Sequence, residues 1–144
     1  MSKNTRYTTG MGTVLTVAMV AGFSAIAADP DLSKLPPAST QKDITYAKDI
    51  QPIFKTSCYG CHGADRQKGG LRLDTLEATL KGSHEGKVII PSKAEKSSLL
   101  LAVARLNERD AMPPASRRPN PNAPKALTAE QVGLIRAWID QGAK

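Results

Sequence analysis

The chain reads as an all-α protein with long loops, and three observations carry that reading. From Thr128 to Gly142 an N-capping pair, an apolar stripe at helical spacing and a closing glycine succeed one another. From Tyr46 to Ser57 the apolar residues Tyr46, Ile50, Ile53 and Phe54 again fall at i, i+4, i+7 and i+8. Between these two segments the sequence is broken repeatedly by glycine and proline, so any further elements are short.

The elements follow in chain order. Lys3 and Arg6 precede a mainly apolar run from Gly12 to Ile26, and Ala25-Ile26-Ala27 offers small residues for cleavage. Residues 1–27 are therefore expected to be a signal peptide that exports the protein to the periplasm. The alternative is an uncleaved anchor, but the run is interrupted by Gly, Ser and Thr, whereas a membrane span needs about 20 apolar residues. No cysteine stands at the cleavage position to take a lipid. Residues 28–42, with three prolines and little apolar content, read as an extended leader or tether and not as a packed element.

The folded domain is expected over 43–144, enough for one modest core. Its first helix spans Tyr46 to Ser57, kinked at Pro52 or starting there. A polar turn-rich loop, Gly63 to Gly70, leads to Leu71-Arg72-Leu73, whose leucines share one side if the segment is extended. Thr75 to Lys81 is expected to form one or two helical turns capped by Asp74 and ended by Gly82. Val88-Ile89-Ile90 is a short apolar run closed by Pro91. Ser97 to Arg105 is nearly all apolar and reads as a buried helix with Ser97 or Ser98 as its N-cap. A long polar loop with five prolines, Asn107 to Lys125, is of a length that is usually functional or disordered. The last helix takes Thr128 and Gln131 as its capping box and buries Val132, Ile135, Trp138 and Ile139.

The formal charge of +7 falls to +5 without the first segment, which carries Lys3 and Arg6 and no acid. Aromatic and basic residues do not cluster as single-stranded nucleic acid requires, which argues against nucleic-acid binding. Aromatic residues are only 4% of the chain, thin for a core.

The chemistry is concentrated in Cys58-Tyr59-Gly60-Cys61-His62. Two cysteines three apart with an adjoining histidine form the attachment signature of a c-type haem. Each thiol makes a thioether with one edge of the porphyrin, one turn of chain spaces the sulfurs, and His62 falls under the iron. A Cys58–Cys61 disulfide would close a very small loop and stabilise little. A zinc site would need His62 and His84 with both cysteines, at a spacing that fits fingers badly. A redox dithiol is the remaining alternative. A bound haem would also supply the planar apolar mass that the composition lacks.

A second iron ligand decides between a closed electron-transfer centre and an open site. Once the first segment is removed, Met112 is the sole methionine. Pro113 and Pro114 hold it on a stiff, non-helical loop far from His62 in sequence, suited to the opposite haem face. The alternative, a core-filling methionine, suits its polar flanks less well. His84, in the polar loop Gly82 to Gly86, is the rival ligand, and a five-coordinate iron is the third possibility.

Ile50-Gln51-Pro52-Ile53-Phe54, Cys58-Tyr59-Gly60-Cys61-His62-Gly63, Gly69-Gly70-Leu71-Arg72-Leu73-Asp74, Met112-Pro113-Pro114 and Trp138-Ile139-Asp140-Gln141-Gly142-Ala143 occur in one order. Together they resemble a monohaem class I cytochrome c, specifically the planctomycete-type cytochrome c domain, over about Asp43 to Lys144. The resemblance implies a compact helical fold in which the first and last helices cross, setting Ile50 or Phe54 against Trp138 and Ile135. It implies one covalently bound haem c held by Cys58 and Cys61, with His62 and Met112 on the iron. It also implies a carrier of single electrons between redox partners. The alternatives are a tightly bound subunit of a dehydrogenase or oxidase, whose leader wraps its partner, and a haem enzyme or gas sensor. Lys55, Arg66, Lys68, Arg117 and Arg118 are candidates for a basic docking rim facing an acidic redox partner. Arg72 is a candidate propionate partner, and the Pro91 carbonyl a candidate acceptor for the far nitrogen of His62.

Overall fold

The computed structural model describes residues 29–106, 109–116, 120–121 and 123–144. The expected signal peptide, 1–27, and the rim candidates Arg117 and Arg118 lie outside the described residues.

All regular structure among the described residues is helical. A π-helical turn, Tyr46–Ile50, runs directly into α1, Gln51–Ser57, with Pro52 in its first turn, where a missing N–H is harmless. Helix α2, Tyr59–His62, follows at once, and α3, Leu76–Lys81, α4, Ser98–Val103, and α5, Ala129–Asp140, complete the set. Short 3-10 turns stand at Leu32–Lys34, Lys68–Gly70 and Ala94–Lys96.

Helix α5 is the keystone. Thr128 Oγ1 accepts from the Gln131 N–H and the Gln131 side chain accepts from the Thr128 N–H, so the expected capping box is present. Its expected inner face, Val132, Ile135, Trp138 and Ile139, is buried. Trp138 meets Tyr46 with ring centroids 5.8 Å apart, and Tyr46 meets Phe54 at 6.2 Å. The first and last helical segments are thus joined through one aromatic cluster, into which Ile50 and Ile135 are also packed. Trp138 Nε1 and the Tyr46 N–H both donate to the Lys144 carbonyl, at 3.0 and 3.1 Å, which holds the chain end across this junction.

Two local expectations are corrected, and a third, Ser97 as the N-cap of α4, holds for its position. Thr75, not Asp74, caps α3, because its hydroxyl accepts from the Ala78 N–H at 3.2 Å while Asp74 is drawn to Arg72. Ser97 stands at the N-cap of α4, but its buried hydroxyl accepts from the Ile90 N–H at 2.9 Å and donates to the Lys93 carbonyl at 3.1 Å. The leader is packed rather than free. Leu35 belongs to the core, the Ser39 N–H donates to the Gly133 carbonyl at 3.0 Å, and Arg136 Nη1 donates to the Pro36 carbonyl at 2.9 Å. A Cβ on Gly133 would stand 2.5 Å from the Pro37 carbonyl oxygen, so glycine is what lets the leader lie directly on α5.

Candidate haem-binding site

The chain from α1 through α2 fixes the two thiols and the histidine as one unit. The Cys58 N–H donates to the Phe54 carbonyl at 2.8 Å, ending α1. The Cys58 carbonyl then accepts from the N–H groups of Cys61, at 3.0 Å, and His62, at 2.8 Å. One helical turn therefore spaces the cysteines. Both are free thiols, so no disulfide competes. Burial pushes the Cys58 thiol up to about 11, with the nearby Cys61 adding to the effect. Among the described residues no group of three or more His, Cys, Asp or Glu side chains is placed to hold a metal ion.

A second wall comes from Leu71 to Asp74. The Leu73 N–H donates to the His62 carbonyl at 2.8 Å, and the Tyr46 hydroxyl donates to the Leu73 carbonyl at 2.7 Å. Gln51 Nε2 and the Tyr59 hydroxyl donate to the Asp74 carbonyl at 3.0 and 3.3 Å. The segment is thus pinned to both α1 and α2, which turns Leu71 and Leu73 toward one cavity.

That cavity, about 1770 Å³, is lined by Cys58, Cys61, His62 and Met112, together with Phe54, Leu71, Leu73, Val88, Leu99 and Val103. It exceeds the roughly 300–1,000 Å³ of an ordinary small-molecule site. The four residues singled out from the sequence therefore share one apolar hollow, although they come from two regions far apart in the chain. Met112 stands at its rim, 38% exposed, and the Met112–Pro113 peptide is cis.

His62 is half-buried. Burial holds its imidazole below the ordinary value of 6.5; the Lys68 charge acts the same way, while backbone groups of Leu71 and Lys68 oppose the shift. The ring is thereby kept neutral, the form in which a histidine ligates a metal. Its Nδ1 is buried without a hydrogen-bond partner. An imidazole that the protein alone leaves incompletely satisfied, two thiols one turn apart and a large apolar hollow together fit a covalently held haem.

The secondary candidates fare differently. His84 lines the same cavity but is exposed, and its ring lies against Gly70, where a Cβ would come within 2.1 Å of it. Gly70, at φ +71°, thus accommodates both a left-handed turn and the imidazole above it. Arg72 does not line the cavity. It forms a two-pronged pair with Asp74 at 2.9 and 2.6 Å, so its guanidinium is engaged along its own segment in this structure. Pro91 makes no hydrogen bond to His62, whose Nδ1 stays orphaned. Of the described rim candidates Lys68 lines the cavity and Lys55 and Arg66 do not; Arg109, Lys125, Asp29, Asp31 and Glu85 are also at the wall, so both signs of charge border it. The leader acids and Arg109 escaped the sequence reading because nothing local in the sequence places them near the cysteines.

The sequence model of the family described as Planctomycete cytochrome C matches residues 58–116, a segment that opens on the first thiol and closes just beyond Met112. No curated protein and no solved structure matches the chain.

Proposed function

We propose that this chain carries a planctomycete-type cytochrome c domain, of which residues 58–116 match the family, and that it is a periplasmic monohaem carrier of single electrons with His62 and Met112 as the iron ligands. Haem c supplies the one-electron Fe(III)/Fe(II) couple when bound. Cys58 and Cys61 retain it covalently, His62 offers a neutral nitrogen, and Met112 offers a thioether from the far loop. Phe54, Leu71, Leu73, Leu99 and Val103 exclude water from the centre. A site closed by two protein ligands has no position for a substrate, so the protein is a carrier and not itself a catalyst.

The observation that carries this reading is the convergence of Cys58, Cys61, His62 and Met112 on one apolar cavity. The packed leader favours a free carrier over a subunit whose leader wraps a partner chain, because Pro36, Pro37 and Ser39 are already engaged with α5. Docking at the cavity mouth would use Lys68 and neighbouring cations against an acidic redox partner. Electron-transfer rates that do not change with ionic strength would remove that docking element.

A redox-titrated optical spectrum of the exported protein tests the main proposal. One covalently bound haem per chain and a ferric far-red band characteristic of thioether ligation are expected. Met112→Ala should abolish that band and lower the midpoint potential. Cys58→Ala with Cys61→Ala should release the haem on acid extraction. A Met112→Ala spectrum identical to that of the unaltered protein would overturn the ligand assignment.

A further inference from the structure

We propose that Arg105 is the positioning residue that holds the Met112 loop over the cavity. The inference rests on the ligand reading above and adds to it the device that keeps the thioether in place. Helix α4 ends in a tight reversal. The Arg105 N–H donates to the Ala102 carbonyl at 3.1 Å and the Leu106 N–H to the Leu101 carbonyl at 3.2 Å, with Arg105 at φ +57°. This is the hydrogen-bond pattern of a helix stop whose left-handed position is usually taken by glycine. An arginine pays a backbone penalty there that glycine avoids.

The side chain accounts for its presence. Arg105 Nη1 donates to the Pro113 carbonyl at 2.7 Å, a charge-assisted bond to the residue directly after Met112. The Met112 N–H in turn donates to the Ala102 carbonyl at 3.0 Å, the same oxygen that closes the turn at Arg105. One short stretch, Ala102 to Arg105, thus grips the loop on both sides of the methionine, through backbone on one side and guanidinium on the other. Leu101, Ala102, Val103 and Leu106 line the cavity, so the grip is applied at its wall. Because Met112 is exposed at the rim, little packing fixes it, and its approach depends on this anchorage.

Substitution by glycine separates the two roles of the position, since glycine relieves the left-handed backbone while removing the guanidinium. The haem-loaded Arg105→Gly protein should retain its helix content by circular dichroism. It should lose most of the ferric far-red band and bind added imidazole about tenfold more tightly, the scale of one hydrogen bond to a charged group. Arg105→Gln, too short to reach the Pro113 carbonyl, should behave alike and is read in its place if the glycine variant does not fold. Arg105→Lys, whose ammonium can reach that oxygen, should recover at least part of the band. A folded Arg105→Gly or Arg105→Gln protein with an unaltered band and imidazole affinity overturns the inference while leaving Met112 as ligand. A lysine variant as impaired as the glycine one overturns the hydrogen-bond basis. If Met112→Ala itself leaves the band intact, the ligand reading fails first, and this inference with it.

Discussion

Asp74 illustrates how much a single residue contributes to the site without touching it. Its carbonyl accepts from Gln51 and Tyr59, and its carboxylate holds Arg72, so the wall carrying Leu71 and Leu73 is fixed from three directions. The Arg72 side chain, through its hydrogen bonds, lowers the Asp74 carboxyl from its ordinary 3.8. A carboxyl depressed in the folded state stabilises the protein above the unfolded-state value, and that stabilisation is lost as pH falls through the folded-state value. Asp74→Asn should therefore be less stable than the unaltered protein at pH 6, and the difference should shrink toward zero on the acid side of 3.8. Urea unfolding of both proteins across that range measures it; a difference that stays constant with pH would show that the pair contributes no charge-dependent stability. Arg72 was legible as a cation near the haem motif, but its partner two residues away was not. Whether the guanidinium points inward or folds back along the chain is decided by backbone direction, which spacing alone does not reveal.

At the scale of elements, the terminal helix and its cap were readable because they depend on local chemistry: Thr128, Gln131 and a stripe at fixed intervals. The haem motif was readable for the same reason, being contained in a single turn. The leader was not. Its prolines and polar residues look like a tether, and its docking depends on a gap in α5 made by Gly133, about a hundred residues away. That gap can be tested. Gly133→Ala removes a helix-interior glycine and should gain up to about 1 kcal/mol of helix propensity. Against this, the added Cβ would meet the Pro37 carbonyl at 2.5 Å, a clash of the kind that costs about 1–3 kcal/mol. The overlap with a backbone atom should win, so the leader should lift away. Limited proteolysis within 31–40 should accelerate, and the Ser39 amide, now bonded to the Gly133 carbonyl, should exchange faster. A more stable protein with an undisturbed leader would refute this account. Arg136 extends the same contact by bonding Pro36 at 2.9 Å and pairing with Glu95 at 2.6 Å.

At the scale of the whole molecule, the protein divides into a region that packs on itself and one that borders the cavity. Tyr46, Ile50, Ile135, Trp138 and Ile139 are buried and do not line the hollow. Leu71, Leu73, Val88, Leu99 and Val103 do line it, and of these Leu73, Leu99 and Val103 are buried in the core as well. A group that binds only the folded state stabilises it, and a haem held in this cavity would add its surface to that side of the core. Protein made without haem, through Cys58→Ala with Cys61→Ala in haem-depleted cells, should therefore not melt as one unit. Amide exchange should remain slow at Ile135, Trp138 and Ile139, whose helix is held by its capping box and the aromatic cluster. It should become fast at Leu73 and from Leu99 to Val103, where the wall loses its support. Trp138→Ala separates the two regions further. Removing a fully buried tryptophan should cost about 3–5 kcal/mol, enough to unfold the haem-free chain while leaving the haem-loaded one folded. Uniform protection across both regions in the haem-free protein would mean that the hollow closes by itself, and that the cofactor contributes no packing to the fold.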